Sequence, residues 1–256
     1  MKVDVMNIQG DKVKQIELPD QFFESYEPSL IKRAILAIFS HKRQPYGAMP
    51  RAGMNVSAKL SRRRKNYKGS YNHGISRVPR KTMTRRGMQF FWVGALAPGT
   101  VKGRRAHPPQ ADKKWDLKIN KKERRKAIRS ALSGLTAHHK LLIVDSSFEE
   151  LSKTKDVRQS LVKLGLKEEL ERSALKKVRA GKGKMRGRKY KRKVGALFVT
   201  GSVSPLMQAT KNIPGFDSCE VRNLNAALLT RGHETPRLCI FTESALQKLA
   251  RERLFL

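Results

Sequence analysis

Closely spaced lysine and arginine side chains are the groups in this sequence most able to do chemistry, and that chemistry is the binding of anions. In the segment RAGKGKMRGR, cations recur at Lys182, Lys184, Arg186 and Arg188, separated by small or apolar residues. Glycine allows a backbone to approach phosphates closely. We therefore expect several of these cations to face one row of phosphates.

The cations are concentrated in two parts of the chain. Residues 28–111 contain 19 Lys or Arg and no Asp or Glu, and residues 172–193 contain 12 basic residues and again no acid. Together they hold 31 of the 56 basic residues of a chain with a formal net charge of +35. Such self-repelling segments weaken a compact state. They indicate a dense polyanion as partner, and nucleic acid is the densest one available.

Aromatic residues are interleaved with the cations between residues 45 and 110, where eight glycines and six prolines also occur. No helical or strand periodicity is sustained there, so we expect a long arm that its partner orders. Aromatic faces and arginine planes stack on unpaired bases, which favours RNA over DNA. Engaging half of the 31 cations would give a slope of log K against log salt steeper than about −10, which suits permanent assembly. The aromatic residues are Tyr46, Tyr67, Tyr71, Phe90, Phe91 and Trp92.

The elements that must position these cations form an α/β core. The stretches KLLIVDSSF, GALFVTGS, CEVRNLNAALL and RLCIFTESALQKLARERLF each read as an apolar strand, a small polar turn and, in most cases, a helix. This order predicts a Rossmann-like, mostly parallel sheet with helices on both faces, plus a long extended internal loop. Before it, KVDVMNIQGDKVKQIEL predicts two short strands around a Gly-Asp turn.

Helices are predicted from apolar spacing and end signals. One begins at about Ser29 and stops before Pro45, with its apolar stripe running from Leu30 to Phe39. A second begins after Asn120, which with Glu123 forms a capping pattern. Its apolar stripe is Ala127, Ile128, Ala131, Leu132 and Leu135. Further helical patterns cover residues 156–164 and 167–179, so that the second basic block begins as the end of a helix.

A catalytic site is not evident in the core. The strand ends read VDSS, VTGS, RNLN and FTES, and none matches the glycine-rich turn of a dinucleotide site. His73, His107 and His233 have no ligand-type neighbours at metal spacing, and adjacent His138 and His139 fit a helix C-terminus better than a metal. Asp145 reads as a helix cap. We expect no metal or cofactor, while an RNA-modifying enzyme or another RNA-binding scaffold with an α/β core stays an alternative.

The compartment is inferred from the cysteines and the apolar runs. Cys219 and Cys239 both lie in apolar stretches, where a buried free thiol is expected rather than a bridge or a metal ligand. The N-terminal residues lack the apolar stretch of a signal peptide, and the longest apolar runs are of strand length. The sequence therefore predicts a cytoplasmic protein without membrane contact.

Several independent segments, in order and at suitable spacing, resemble one family. They are RQPYGAMPRAGMNVSAKLS (residues 43–61), RVPR (77–80) with RRG (85–87), KGRRAHPP (102–109), KKERRKAIRSALS (121–133) and RAGKGKMRGR (179–188). Over its full length the chain resembles the archaeal and eukaryotic form of the fourth large-subunit ribosomal protein family, L-four. None of these segments is a generic motif.

The resemblance implies a structural protein of the large ribosomal subunit, not an enzyme, that binds 23S-type rRNA and supports subunit assembly. Residues 1–43 and 111–256 would form a globular α/β rRNA-binding domain. Residues 44–110 would form an extended basic loop reaching into rRNA toward the nascent-peptide exit tunnel. Other large-subunit ribosomal proteins near the tunnel would be neighbours.

The residues that could carry these roles are read from the basic segments and the resemblance. Those expected to line a constriction of the tunnel, facing the nascent peptide, are Arg77, Pro79, Arg80, Arg85, Arg86 and Gly87. Those expected to bind RNA are Arg51, Arg62, Arg63, Arg64, Tyr67, Arg77, Arg80, Arg85, Arg86, Arg104, Arg105, Lys182, Lys184, Arg186 and Arg188.

Overall fold

The computed structural model describes residues 1–65, 69–87, 89–232 and 235–256, with the side chain of Phe90 left out. It divides the chain into two units, Met1–Lys42 with Asp116–Leu256 and Arg43–Trp115. We name them the sheet unit and the inserted unit. Two residues considered above, Tyr67 and His233, lie outside the described residues.

The strands belong to one large sheet and two hairpins. Their bounds are β1 Lys2–Met6, β2 Lys12–Glu17, β3 Arg80–Arg86, β4 Gln89–Gly94, β5 Leu141–Val144, β6 Lys176–Val178, β7 Tyr190–Arg192, β8 Leu197–Thr200, β9 Asp217–Glu220 and β10 Cys239–Thr242. The large sheet has the order β2-β1-β5-β10-β8-β9. All neighbouring pairs in it are parallel except β1 with β2. The fold is thus mixed α/β with a mostly parallel sheet, as the sequence predicted.

Helices pack on both faces of the large sheet. Alternate residues of each strand point to opposite faces, so neighbouring residues of one strand belong to different buried clusters. Phe241 and Val199 belong to one buried cluster, with residues of α1, α2, α6 and α7, whereas Ile240 and Phe198 belong to a second cluster with residues of α3, α4 and α5. The helix bounds are α1 Pro28–His41, α2 Lys121–Ala137, α3 Thr154–Lys163, α4 Lys167–Ala174, α5 Pro205–Thr210, α6 Ala226–Thr230 and α7 Glu243–Arg251.

The two long helices agree closely with their sequence signals. Asn120 is the N-cap of α2 and Glu123 completes a capping box, and the whole predicted apolar stripe of that helix is buried. In α1, Ile31, Ala34 and Ile35 are buried, but Phe39 is 44% exposed. The apolar stripe predicted for α1 is therefore wrong at its C-terminal end.

Two hairpins depart from the sequence predictions. The helix predicted over 167–179 ends at Ala174, because the chain turns back and β6 pairs antiparallel with β7. Gly181 and Gly187, with φ of +76° and +75°, adopt the left-handed backbone that this reversal uses. In the inserted unit, where no strand periodicity was found, β3 pairs antiparallel with β4. Residues of β3 are exposed on both faces, so they show no apolar alternation.

Candidate nucleic-acid interface

The described cations of the inserted unit have no carboxylate of the described chain beside them. Among its described residues, no Lys or Arg lies within ion-pair distance of a carboxylate, and Asp112 is its one acidic residue. In the sheet unit, by contrast, carboxylates pair with basic residues, as in Lys126–Glu27 at 2.6 Å and Arg129–Glu24 at 2.7 Å, and Arg172 of the second basic block pairs with Glu169. The inserted unit therefore presents its positive charge unpaired.

A basic cavity of about 560 Å³ lies within the inserted unit. Arg62, Arg63 and Arg77 line it together with Leu60, Ser61 and Pro79. All three arginines are exposed, and each guanidinium offers a planar fork of donors that matches phosphate oxygens. The cavity thus brings together residues from two separate parts of the predicted set, 62–63 and 77–79.

Three other residues expected at the tunnel, Arg80, Arg85 and Arg86, belong to β3 of the β3–β4 hairpin. Arg80 is half-buried, lies 5.4 Å from the ring centre of Trp92, and donates from Nη2 to the Ser76 carbonyl oxygen at 2.6 Å. Arg85 donates from Nε to the carbonyl oxygen of Gly87 at 3.1 Å. Arg86 is exposed beside them. Arg80 therefore contacts Trp92 on the opposite strand and the segment before the hairpin, whereas the side chain of Arg86 is exposed and accessible to a partner.

The remaining predicted residues of the inserted unit are spread along its surface. Arg51, Arg104 and Arg105 are exposed, and the Arg64 guanidinium carbon lies 4.6 Å from the ring centre of Tyr71. A stacked guanidinium keeps its edge donors available for an anion. Tyr67 falls outside the residues that the structure describes.

A cluster at the two ends of the inserted unit was missed by the sequence analysis. The guanidinium carbon of Arg43 lies 4.4 Å from the ring centre of Trp115, and Tyr46 packs against the same indole at 5.2 Å. Near them the Ala48 N–H donates to the carbonyl oxygen of Pro109 at 2.9 Å. The signal that could have found this cluster is the aromatic and basic composition at both ends of the segment.

The backbone at Gly53, in the first part of the inserted unit, packs directly against the backbone at Gly103 and Arg104, in its last part. Its φ is +75°, and a Cβ atom there would lie 2.5 Å from the Gly103 carbonyl carbon and 2.6 Å from the Arg104 nitrogen. Such a distance is impossible for a real Cβ, so this close approach of two backbones requires glycine. Gly53 thereby fixes the position of the Arg104 backbone.

The predicted cations of the second basic block lie in the turn between β6 and β7. Lys182 and Lys184 belong to a short 3-10 turn, and the N–H groups of Arg186 and Arg188 both donate to the Gly183 carbonyl oxygen at 3.2 Å. All four side chains are exposed. The structure thus brings these cations together on one compact turn, rather than along a helix end.

The carboxyl ends of the parallel strands, where enzymes of this fold class bind ligands, are filled by polar groups of the chain. Glu149 Oε1 accepts hydrogen bonds from the Gly201 N–H at 2.9 Å and from Thr242 Oγ1 at 2.7 Å, and the hydroxyl of Ser244 also donates to it. Lys248 donates to Glu220 Oε1 at 3.0 Å. These groups therefore hydrogen-bond to one another at the strand ends.

Asp145 also serves the fold at this edge. It is the N-cap of the 3-10 turn Ser146–Glu150, and the Ser147 hydroxyl donates to its Oδ2 atom at 2.8 Å. This hydrogen bond lowers the pKa of Asp145. A carboxylate with a lowered pKa is a poor general base near neutral pH. Asp145 occupies an N-cap position as predicted, but of a short 3-10 turn and without a side-chain cap hydrogen bond.

The two thiols are free and buried, as predicted. Burial raises the pKa of Cys219 and of Cys239 to about 12, so neither is an activated nucleophile. Within the described residues, no three His, Cys, Asp or Glu side chains lie close enough to hold a metal ion. No helix in the described part of the chain has the length and apolarity of a membrane span.

Comparison with known proteins identifies the family. A sequence model described as the "Ribosomal protein L4/L1 family" matches residues 16–252. The chain is 48% identical over 267 residues to a protein of Nanoarchaeum equitans, with all of both chains covered. It is 40% identical to a protein of Archaeoglobus fulgidus and 42% identical to one of Methanocaldococcus jannaschii, each time over 97% of this chain and 98% of the relative.

All three relatives are named large ribosomal subunit protein uL4. They are ribosomal proteins rather than enzymes, so the enzymatic alternative is rejected. The resemblance inferred from the sequence segments is confirmed over nearly the full chain. This chain belongs to the ribosomal protein L4/L1 family.

Proposed function

We propose that this chain is a structural protein of the large ribosomal subunit that binds 23S-type rRNA and supports subunit assembly. The observation that carries the proposal is the unpaired charge of the inserted unit, whose described cations have no carboxylate partner. A segment of this kind is destabilised by its own charge until phosphates neutralise it. The archaeal relatives are named as proteins of the large ribosomal subunit, and this subunit is the particle in which we propose that the chain binds RNA.

The proposal also includes a division of labour, in which the globular domain and the extended loop of the chain have different roles in binding rRNA. Residues 1–43 and 111–256 act as the globular rRNA-binding domain with a Rossmann-like sheet, and residues 44–110 act as an extended loop that enters the rRNA. Two features support it: the sheet has helices on both faces, and the chain ends of the inserted unit are held together near Arg43 and Trp115. The remaining large-subunit proteins near the exit tunnel are its proposed neighbours.

The β3–β4 hairpin and the residues before it are the proposed lining of the exit tunnel. Arg77 and Pro79 precede the hairpin, Arg80, Arg85 and Arg86 belong to β3, and Gly87 lies in the turn. The outward side chain of Arg86 supports a contact with RNA or with the nascent peptide. The half-buried Arg80 supports a role in holding the hairpin in shape.

Deleting residues 60–95 tests the proposal. The deletion removes 10 of the 19 basic residues of the segment 28–111 and leaves the sheet unit intact. Each lost phosphate contact should reduce the steepness of the salt dependence by about 0.7 to 0.9. We expect the shortened chain to bind rRNA with a shallower slope, to enter large subunits, and to leave the tunnel wall altered in a density map. Loss of all rRNA binding and assembly would contradict the division of labour.

A further inference from the structure

The two strands of the β3–β4 hairpin leave the rest of the inserted unit at one place, which we name the root of the hairpin. Arg80, the first residue of β3, pairs with Gly94, the last residue of β4. Just beyond this pair, the Ala95 N–H donates to the Pro79 carbonyl oxygen at 2.8 Å. Arg80 also forms an isolated antiparallel bridge with Lys59. The residues next to this root therefore set the direction of the hairpin.

The chain turns sharply directly after the root. The Ala97 N–H donates to the Ala95 carbonyl oxygen at 2.8 Å, and Leu96 between them has a φ of +66°. This is a γ-turn with a positive φ at its centre, the form that is rare and strained. A bulky left-handed residue persists only where the surrounding structure holds it, and such residues cluster at functional sites. The strain at Leu96 therefore points to a role for this turn.

The segment that follows closes on itself through its own hydrogen bonds. We name residues 95–104 the root loop. The Arg104 N–H donates to the Leu96 carbonyl oxygen at 3.3 Å, which joins the two ends of the loop. Inside it, the Thr100 hydroxyl donates to the Ala97 carbonyl oxygen at 2.7 Å. These donors and acceptors are neutral groups of the chain, so the loop does not need a phosphate in order to form.

Two glycines pack against the root loop so closely that a side chain would not fit. A Cβ atom at Gly103 would lie 2.3 Å from both the Ala97 carbonyl oxygen and the Thr100 hydroxyl oxygen. Gly53, in the first part of the inserted unit, packs against the backbone of Gly103 in turn. The root loop thus contacts the hairpin on one side and the first part of the inserted unit on the other.

We propose that the root loop positions the β3–β4 hairpin, by fixing the direction in which the hairpin leaves the inserted unit before any RNA is bound. Thr100 and Gly103 are the positioning residues, because they keep the strained turn at Leu96 closed. The seven residues of β3 form a lever of about 20 Å, so a change of about 15° at the root would move the far end by about 5 Å. The proposal rests on the proposed function, in which the hairpin lines the exit tunnel.

Electron paramagnetic resonance on the free full chain measures this direction. Spin labels at Met49→Cys and Gln89→Cys, two exposed positions, report the distance between the first part of the inserted unit and the far end of the hairpin. The native thiols of Cys219 and Cys239 are buried and should stay unlabelled. We expect a single narrow distance distribution for the parent chain. A broad or multiple distribution in the parent would overturn the proposal.

Two variants open the root loop to different degrees. Gly103→Ala forces a Cβ against the Ala97 carbonyl oxygen, and Thr100→Val removes the hydroxyl donor but keeps a β-branched side chain. We expect each to broaden the distribution by about 5 Å or more. Thr100→Ser restores the donor and should restore the parent distribution. Val101→Ala, at a side chain that is 74% exposed, is the control in the same loop. Parent distributions in the first two variants, or equal broadening in the control, would overturn the proposal.

Hydrogen exchange separates positioning from a general stabilising role. The pairing of β3 with β4 does not use the Thr100 hydroxyl. The amides of the hairpin should therefore exchange at the parent rate in Thr100→Val, although the hairpin has lost its fixed direction. Faster exchange along the whole hairpin would mean that the root loop only stabilises the hairpin, and this result would overturn the proposal.

Binding to rRNA gives a functional readout of the same variants. Thr100→Val keeps every cation, but only a fraction of its hairpins point in the binding direction. We expect its affinity for rRNA to fall in proportion to that fraction, with an unchanged salt slope, and Thr100→Ser to recover it. Parent affinity in Thr100→Val would overturn the proposal. If the parent chain itself binds no rRNA, the proposed function fails, while the spin-label distances still test the positioning.

Discussion

Thr242, at the end of β10, donates its hydroxyl hydrogen to Glu149 Oε1 across 2.7 Å, although the two residues are 93 positions apart in the chain. The same carboxylate oxygen accepts the N–H of Gly201, which follows β8. Glu149 therefore joins two strand ends at the edge where enzymes with parallel sheets usually bind ligands. At this edge Glu149 links the ends of β8 and β10 by hydrogen bonds.

Replacing Glu149 tests this stabilising role. Glu149→Ala leaves the donors of Thr242 and Gly201 without their charged acceptor, so we expect the free energy of unfolding to fall by about 1–3 kcal/mol. The neighbouring Glu150→Ala alters an exposed carboxylate and should change it by no more than about 0.5 kcal/mol. Urea unfolding of both variants measures the difference. Equal midpoints would show that Glu149 does not join the strand ends.

The buried thiols give a prediction for alkaline pH. Burial raises the pKa of Cys219 and Cys239 to about 12, whereas an unfolded chain has the ordinary thiol pKa of about 8.5. The native state therefore holds protons that the unfolded state releases, and this contribution to stability is complete below about pH 8.5 and is lost as the pH rises toward 12. We expect the midpoint of urea unfolding to fall over that range.

Alkylation provides the chemical check on the same thiols. At about pH 8.5, iodoacetamide should leave Cys219 and Cys239 unmodified in the native protein and should modify both in guanidinium chloride. Mass spectrometry of the intact chain reads the number of labels. Rapid labelling of the native protein would mean that the thiols are not buried as described.

Gly53 tests the packing of the inserted unit. Gly53→Ala places a Cβ within 2.6 Å of the backbone at Gly103 and Arg104. Gly74→Ala is the matched control, because Gly74 also has a positive φ, of +65°, but nothing lies within 4 Å of its added Cβ. Both changes incur a left-handed strain of about 1–2 kcal/mol, and only the first adds a backbone clash.

Hydrogen exchange of the free protein measures the effect of the two glycine variants. In Gly53→Ala we expect faster exchange at the amides of Gly103 and Arg104, whose hydrogen bonds to Thr100 and Leu96 depend on the local packing. In Gly74→Ala these amides should exchange at the parent rate. The same acceleration in both variants would assign the effect to backbone strain and contradict the proposed contact.

The exposed arginines of the basic cavity in the inserted unit should act through charge. Arg62→Gln with Arg77→Gln removes two of its guanidinium groups, and we expect the salt slope of rRNA binding to fall by about 1.4 to 1.8. Lys155→Gln with Arg158→Gln, at two exposed positions of α3, is the charge-matched control. The slopes come from filter binding across a salt series, and a loss of equal size in the control would remove the case for a specific site.

The parts of the fold that bury apolar residues could be predicted from the sequence. The runs LLIV and CIFT became β5 and β10 because strands covered on both faces are continuously apolar. Asn120 and Glu123 marked the start of α2 because the capping box is a local interaction. Capping interactions and burial could therefore be predicted, because each depends on residues that are close together in the sequence.

The hairpins could not be predicted, because their side chains are mostly exposed on both faces and leave no apolar alternation. The ion pair between Arg237 and Asp217 could not be predicted for another reason. Asp217 belongs to β9 and Arg237 lies 20 positions later, just before β10, so only the tertiary fold brings the two side chains together. Basic composition predicted a polyanion partner, but the positions where that partner is held depend on tertiary contacts.

A high-resolution density map of the large ribosomal subunit from the organism that encodes this chain tests the central claim most directly. We predict that the chain lies in the subunit with Arg62, Arg77, Lys182 and Arg186 each within about 4 Å of an rRNA phosphate oxygen. A subunit that lacks the chain, or one in which these four side chains face solvent, would contradict it.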